Sequence, residues 1–263
     1  MAEPPVTTKV QLAVELAGDT CSNDIKLLLE TNKGIKNVAV NIETQTVIVE
    51  TVLSTNKVVD LIESSGNKAI VTGVGAAGSQ VLNLGSAVAI MHEGNPSSGV
   101  RGVTRIVQST EEICVIEGTL DGLSPNLEHR LSIHEYGDVS NGCDSCGDIF
   151  VGLSNLNSQD KHLYGDLGKI QSNNLGRSNF RIQSERVKVW DIIGRSMLVS
   201  SPLDSALANK SENSGWTKIA CGIIARSAGI FENFKKICAC DGTTLWDEYT
   251  LQQNNKSSPN SHL

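Results

Sequence analysis

The sequence predicts a multidomain chain: an N-terminal α+β ferredoxin-like domain of order βαββαβ, an all-β barrel or sandwich, and a short, mostly irregular C-terminal tail. Three observations carry that reading. Apolar residues switch between periods of 2 and 3.6 over residues 7–71, only period-2 runs remain after a stretch of small residues, and beyond Gly229 the composition turns to Asn, Gln, Ser and Lys.

The elements follow in order. Val10, Leu12, Val14 and Leu16 alternate along a half-buried strand, and Gly18, Asp19 and Thr20 form a loop. Ile25, Leu28 and Leu29 fall at helical spacing behind Ser22 and Asn23 as N-cap candidates, with Gly34 closing the helix. Val38, Val40 and Ile42 make a second strand, Glu43 and Thr44 a turn, and Val47 with Val49 a third strand. Ser54 caps a second helix carrying Val58, Leu61 and Ile62, and a last strand runs near 69–71.

Small residues from Val74 to Gly85 mark a junction, with the first domain at 1–75 and the linker at 76–84. Alternating runs then recur: Val88 and Ile90, 100–107, 113–116, Leu131 and Ile133, Val187 and Val189, and 219–224. They assign a β domain to 85–230 and the tail to 231–263. The segment 137–168 is too long for a plain connection and reads as functional.

A net charge of −7 argues against nucleic acid or an anionic membrane surface as partner, and no run of 18 apolar residues offers a membrane span. The N-terminal Met-Ala-Glu-Pro-Pro lacks the basic and apolar regions of a secretory signal, so a cytoplasmic location is expected. Ser261-His262-Leu263 resembles the peroxisomal tripeptide, which adds a peroxisomal fraction to that expectation.

Seven cysteines, an odd number, point in a reducing compartment to metal or redox chemistry rather than a structural framework. Cys238 and Cys240 are one residue apart, beside Lys235, Lys236 and Asp241. Two sulfurs so close can hold one soft metal ion or exchange with a disulfide, and nearby positive charge lowers a thiol pKa. The other reading of the pair is two small apolar side chains. Cys143 and Cys146 have the spacing of a redox or metal motif, and Cys114 alternates into a core.

The middle region resembles the Cu,Zn superoxide dismutase family. The motifs are GTLDGLSP at 118–125, HEYGD at 134–138, Gly142-Cys143, GDLG at 165–168, IGR at 193–195 and ACG at 220–222. The resemblance implies a Greek-key barrel. The three-part plan, with VKVWD at 187–191, CGIIARSAG at 221–229 and ICACDG at 237–242 ahead of Leu245 and Trp246, resembles the copper chaperones for superoxide dismutase. The N-terminal domain is similar to heavy-metal-associated domains.

Carried over residue by residue, the dismutase's copper histidines fall on Ser132, His134, Ile149 and Ser200, so three of four imidazoles are absent. A redox copper centre needs several, and no dismutase activity is expected. The family's active-site arginine appears as Lys218. Asp166 matches a zinc ligand and His162 lies one residue out of register with another. Two ligands make an incomplete tetrahedral site, so zinc is not expected to be held. His134 and His129 read as hydrogen-bonded strand histidines.

Cys143 and Cys221 match the family's disulfide, which would leave Cys146 an ordinary thiol. In the first domain, Cys21 survives from the metal loop and Asp24 stands where the second cysteine belongs, so Cys21 is at most one ligand of a shared site.

The resemblance implies a non-enzymatic metallochaperone that delivers Cu(I) to Cu,Zn superoxide dismutase and promotes its disulfide. Cys238 and Cys240 would serve both copper transfer and disulfide exchange. Gly137, Ile193, Gly194, Ile223 and Ile224 would pair the barrel with an immature dismutase subunit as a heterodimer, or with a second copy of this chain as a homodimer. The alternative from another class is a catalytically inactive dismutase-like scaffold, which would not need Cys238 and Cys240.

Overall fold

The computed structural model describes residues 4–16, 18–78, 84–94, 99–152, 163–203 and 215–233. The N-terminal unit runs β1 (Thr8–Val14), α1 (Asp19–Glu30), β2 (Ile35–Asn41), β3 (Thr46–Thr51), α2 (Thr55–Glu63) and β4 (Ala69–Ala76). Its antiparallel sheet has the order β2-β3-β1-β4, the ferredoxin-like arrangement expected from the alternating periods. Val10, Leu12 and Val14 of β1 are fully buried with Ile25, Leu29, Val58 and Ile62 of the helices, as a sheet with one helix-covered face requires.

Two local readings are corrected. α1 begins at Asp19 with Gly18 as N-cap, not at Ser22 or Asn23, because the Ser22 amide already donates to the Gly18 carbonyl at 3.1 Å. Cys21 therefore sits in the first helical turn. β4 continues through Val74, Gly75 and Ala76, so the small-residue stretch starts as strand rather than junction.

The second unit contains β5 (Ser86–Met91), β6 (Glu93–Gly94), β7 (Arg101–Gln108), β8 (Cys114–Asp121), β9 (Glu128–His134) and β10 (Ser140–Cys143). After these come β11 (Asp166–Gln171), β12 (Ser178–Ser184), the one-turn α3 (Val189–Ile192), β13 (Ser196–Pro202) and β14 (Trp216–Arg226). Eight strands follow the order β11-β9-β13-β14-β5-β7-β8-β12, with β6 added on β14. The ends β11 and β12 approach each other, so the antiparallel barrel is nearly closed. Met91, Ile106, Ile116, Leu131, Ile133 and Met197 fill it with no exposed surface. Val187 and Val189 do not make a strand. Val189 opens α3, where its amide donates to the Gln108 side chain at 2.9 Å. Strands β11 and β12 escaped the sequence reading because polar residues interrupt their alternation, and β13 because Met197, Leu198 and Val199 run together without alternating.

His129 of β9 is fully buried; its Nε2 lies 3.3 Å from the Ser124 carbonyl and its Nδ1 has no hydrogen-bond partner among the described residues. Burial holds its pKa, and that of His134, below the usual histidine value.

The two units meet around one buried carboxylate. Glu117 of β8 is only 4% exposed. Its Oε1 accepts from the Thr55 amide at 2.9 Å and from the Thr55 hydroxyl, and its Oε2 pairs with Arg181 of β12. Arg181 also donates to the carbonyls of Leu53 and Val6 and to the Thr8 hydroxyl. Opposite Glu117 across the ladder stands Arg105, whose pKa burial lowers and Glu117 partly restores.

Two predictions follow from these buried groups. Glu117→Ala leaves two guanidiniums without their counter-charge, a loss of about 3 kcal/mol in urea unfolding; a loss below ~1 kcal/mol would remove this node from the account. The second concerns pH. Both histidines are depressed, so stability is fully present above the unfolded value of about 6.5 and falls as pH drops towards the folded values. His129→Leu should flatten part of that acid-side decline, and an unchanged slope would refute the assignment.

Candidate functional site

The region where the dismutase family places its metals lies where β9, β13 and β14 meet the loop after β10. Here protein contacts occupy the ligand positions. His134 Nδ1 donates to the Gly147 carbonyl at 2.9 Å, so its Nε2 accepts from the Ser132 hydroxyl at 3.1 Å. His134 forms a bridge with Ile149, and Ser200 is buried on β13. Lys218 Nζ donates to the Cys143 carbonyl at 3.1 Å and reaches the Gly147 carbonyl at 3.5 Å. The His134 pKa is lowered first by burial, with the Lys218 charge acting in the same sense. A neutral imidazole with both nitrogens engaged has no lone pair left for a metal.

Asp166 is committed as well. Arg130 holds it through both carboxylate oxygens at 2.8 and 3.3 Å, and the Gly168 amide donates to it at 3.2 Å. Burial pushes its carboxyl up, but these donors and the Arg130 charge outweigh that and hold it below the usual range. His162 lies outside the described residues. Among the described residues, no three His, Cys, Asp or Glu side chains are arranged to hold a metal ion.

Sulfur gathers on the same side of the barrel. Cys143, Cys146 and Cys221 form a small buried cluster with Leu198, and Val139 packs against it. Cys143 and Cys221, the pair that the resemblance joins, lie together in it. Cys146 is not a bystander: a hydrogen bond with the Cys221 thiol, and then burial, push its own thiol well up. The sequence missed this because the one-turn 3₁₀ helix at Asp144–Cys146 brings Cys146 under β14, and spacing alone does not show it. Burial pushes the Cys114 thiol up to about 12, consistent with a core role.

In the first domain, Cys21 is half-buried and its Sγ donates to the Asn67 side chain at 3.1 Å. Asp24 is exposed three positions further along α1. Cys21 packs against the domain core instead of standing on an open loop.

The expected pairing surface is partly assembled. Gly137 and Gly194 come so close that a Cβ on Gly137 would lie 2.2 Å from the Gly194 carbonyl oxygen. Gly194 is exposed, Ile193 half-buried and Ile223 43% exposed. Ile224 is a correction. It is fully buried in the barrel core, because successive strand residues face opposite sides and Ile223 takes the outer one. Tyr136 and Trp190, not singled out from sequence, are also exposed at 58% and 53%. Large aromatics left outside a barrel were the signal available. Arg195 braces this region, donating to the carbonyls of Asp191 and Glu135 and lying 3.8 Å over the Phe150 ring. Cys238, Cys240, Leu245, Trp246 and the final Ser261-His262-Leu263 lie outside the described residues.

Comparison with known proteins gives two family matches: the copper/zinc superoxide dismutase model over residues 100–224, and the heavy-metal-associated domain over residues 11–68. The copper chaperone for superoxide dismutase of Rattus norvegicus is 44% identical over 248 residues, covering 91% of this chain and 88% of the relative. The Homo sapiens protein of the same name is 43% identical over the same length. The superoxide dismutase 1 copper chaperone of Saccharomyces cerevisiae is 31% identical over 255 residues, covering 92% of this chain and 94% of the relative. A dismutase-type barrel whose ligand positions hold serine and isoleucine, joined to a heavy-metal-associated fold and matched along nearly its whole length by these relatives, places the chain in the family of copper chaperones for superoxide dismutase.

Proposed function

We propose that this protein takes Cu(I) as cargo, delivers it to Cu,Zn superoxide dismutase, and promotes the client's disulfide. The observation that carries the reading is the state of the barrel. It keeps the dismutase fold, yet the positions of three copper imidazoles hold Ser132, Ile149 and Ser200, and both nitrogens of His134 are engaged. Such a barrel recognises a dismutase subunit and does not cycle copper itself. The printed names of the rat, human and yeast relatives support the choice of client. With Asp166 held by Arg130, zinc is not a resident cofactor of this reading.

The barrel docks through Gly137, Ile193, Gly194 and Ile223 in a contact like that between two dismutase subunits, giving a heterodimer with the client and a homodimer in its absence. Cys238 and Cys240 carry the cargo as two thiolates, a low-coordinate site that a client ligand can enter. Cys21 contributes at most one further sulfur.

Disulfide transfer starts from the disulfide form of the pair, which a two-electron oxidant such as dioxygen makes once the copper has left the two thiolates. A client thiolate attacks one tail sulfur, the S–S bond of the tail breaks, and a mixed disulfide forms with release of a tail thiolate. The client's second thiolate then displaces the tail, leaving the client oxidised and the tail a dithiol. The protein acts in the cytoplasm, with a peroxisomal fraction directed by Ser261-His262-Leu263. An inactive scaffold has the same barrel but no use for the tail pair, so one experiment separates the two readings.

That experiment mixes copper-loaded full-length protein with apo, disulfide-reduced dismutase and follows copper transfer without oxygen and disulfide formation after dioxygen is admitted. The double variant Cys238→Ser, Cys240→Ser should bind the client normally and lose at least about 10-fold in transfer, the loss that removing even an outer-shell partner of a metal ligand brings. Normal activation by that variant would leave the scaffold reading standing. At the barrel, Ile223→Glu should weaken client binding at least about 10-fold, or ~1.4 kcal/mol, since it places a charge in a desolvated contact. Unchanged affinity by calorimetry would remove Ile223 from the interface.

A further inference from the structure

The open face of the first domain's sheet is shaped to receive a piece of chain from far along the sequence. Gly73 and Gly75 alternate on β4 with Val74, whose side chain is in the domain core, so the two glycines face away from the helices. A Cβ at Gly73 would lie 2.4 Å from the Gly229 carbonyl oxygen, and one at Gly75 would lie 3.0 Å from Cγ1 of Ile230. Neither glycine has a positive φ, so room, not backbone conformation, calls for glycine here.

Across the ladder, Gln11 pairs with Gly73, and its side-chain carbonyl accepts from the Phe231 amide at 2.7 Å. Within the incoming segment the Gly229 amide donates to the Glu232 carboxylate at 2.8 Å, and the Glu232 amide donates back to the Gly229 carbonyl at 3.3 Å. A compact turn, with Gly229 buried and Phe231 at φ 63°, thus sits on a bare strip of β1 and β4.

This turn is the last described part of the chain before the Cys238 and Cys240 pair. We propose that the first domain is the mount of the tail: the Gly73, Gly75 and Gln11 seat fixes the point from which residues 234–263 depart and so sets how often the tail sulfurs meet a docked client. The inference rests on the delivery role proposed above and gives the first domain a task that needs no metal, in keeping with Asp24 at its second cysteine position.

Chain length gives the size of the effect. Cys238 follows Asn233 by five positions, a reach of at most about 17 Å. With the seat lost, the nearest upstream anchor is Ser227, whose amide donates to the Ser86 carbonyl at 3.0 Å, eleven positions from Cys238. Effective concentration falls roughly as the −3/2 power of the number of residues between anchor and sulfur, which makes the loss about 3-fold.

The test uses full-length, copper-loaded protein with two variants. Gly73→Val fills the seat from the sheet side, and Gln11→Ala removes the acceptor of the Phe231 amide while leaving the strand's apolar face intact. Hydrogen exchange of the Phe231 amide reads the seat, and the rate of copper transfer to apo dismutase reads its consequence. Both variants should speed exchange at Phe231 and slow transfer about 3-fold, with copper stoichiometry and client affinity at the parent values. Faster exchange with an unchanged transfer rate would overturn the proposal, as would unchanged exchange in both variants. If the parent protein itself transfers no copper, the delivery reading fails instead, and the parent-versus-variant comparison keeps the two failures apart.

Discussion

Glu117 is the point at which the two folded units become one structure. Its carboxylate lies between Arg105 on the neighbouring strand and Arg181 on the other side, and it accepts from the first amide of α2. A buried carboxylate is costly unless it is paired and hydrogen-bonded, and here both conditions are met by groups from both domains. The helix N-terminus adds its own partial positive charge. Because Arg181 also holds the carbonyls of Leu53 and Val6, the node fixes α2 and β1 relative to the barrel. The seat of the Gly229 turn on β1 and β4 inherits that placement.

The barrel illustrates how a fold persists when its metal chemistry goes. Where the dismutase family places imidazoles around copper, this chain closes the same space with a Ser132–His134–Gly147 chain of hydrogen bonds and a lysine at 218 that ties two loop carbonyls. Asp166, a metal-ligand position by resemblance, is satisfied by Arg130 from the adjacent strand. Ser132, His134, Asp166 and Lys218 each have a protein partner, as buried polar groups require. What the barrel retains is its outer surface, with Ile223, Tyr136 and Trp190 outside a packed interior.

Sulfur is distributed by environment. Cys114 and Cys146 are buried and their thiols are pushed up, which suppresses the thiolate that nucleophilic or metal-binding chemistry requires. Cys21 is packed against a helical core. Cys143, Cys146 and Cys221 share one pocket, so Cys221 has two neighbouring sulfurs where the resemblance offered one. The tail pair differs from all of these in following two consecutive lysines, Lys235 and Lys236.

Local pattern determined much of the molecule. The alternation of β1, the 3.6-residue spacing of α2 behind Ser54, and the period-2 runs of β5, β7, β8 and β9 are legible because each buries its own repeating face. The motifs around Gly118, His134, Gly165 and Cys221 carried the family, and with it the missing histidines. Other features depended on contacts between residues far apart in sequence. Ser22 was a plausible cap until Gly18 closed the turn, and Ile224 was a plausible surface residue until the β14 register turned it inward. Cys146 met Cys221, and Glu117 met Arg181 and Thr55, across separations that no local period encodes. The bare strip at Gly73 and Gly75 likewise reads as linker composition until the Gly229 turn is seen lying on it. Sequence alone thus determined which elements form and which ligands are gone, because those are properties of local spacing and residue type. Tertiary structure decided which groups satisfy one another, because burial and pairing are settled only when distant strands are brought side by side.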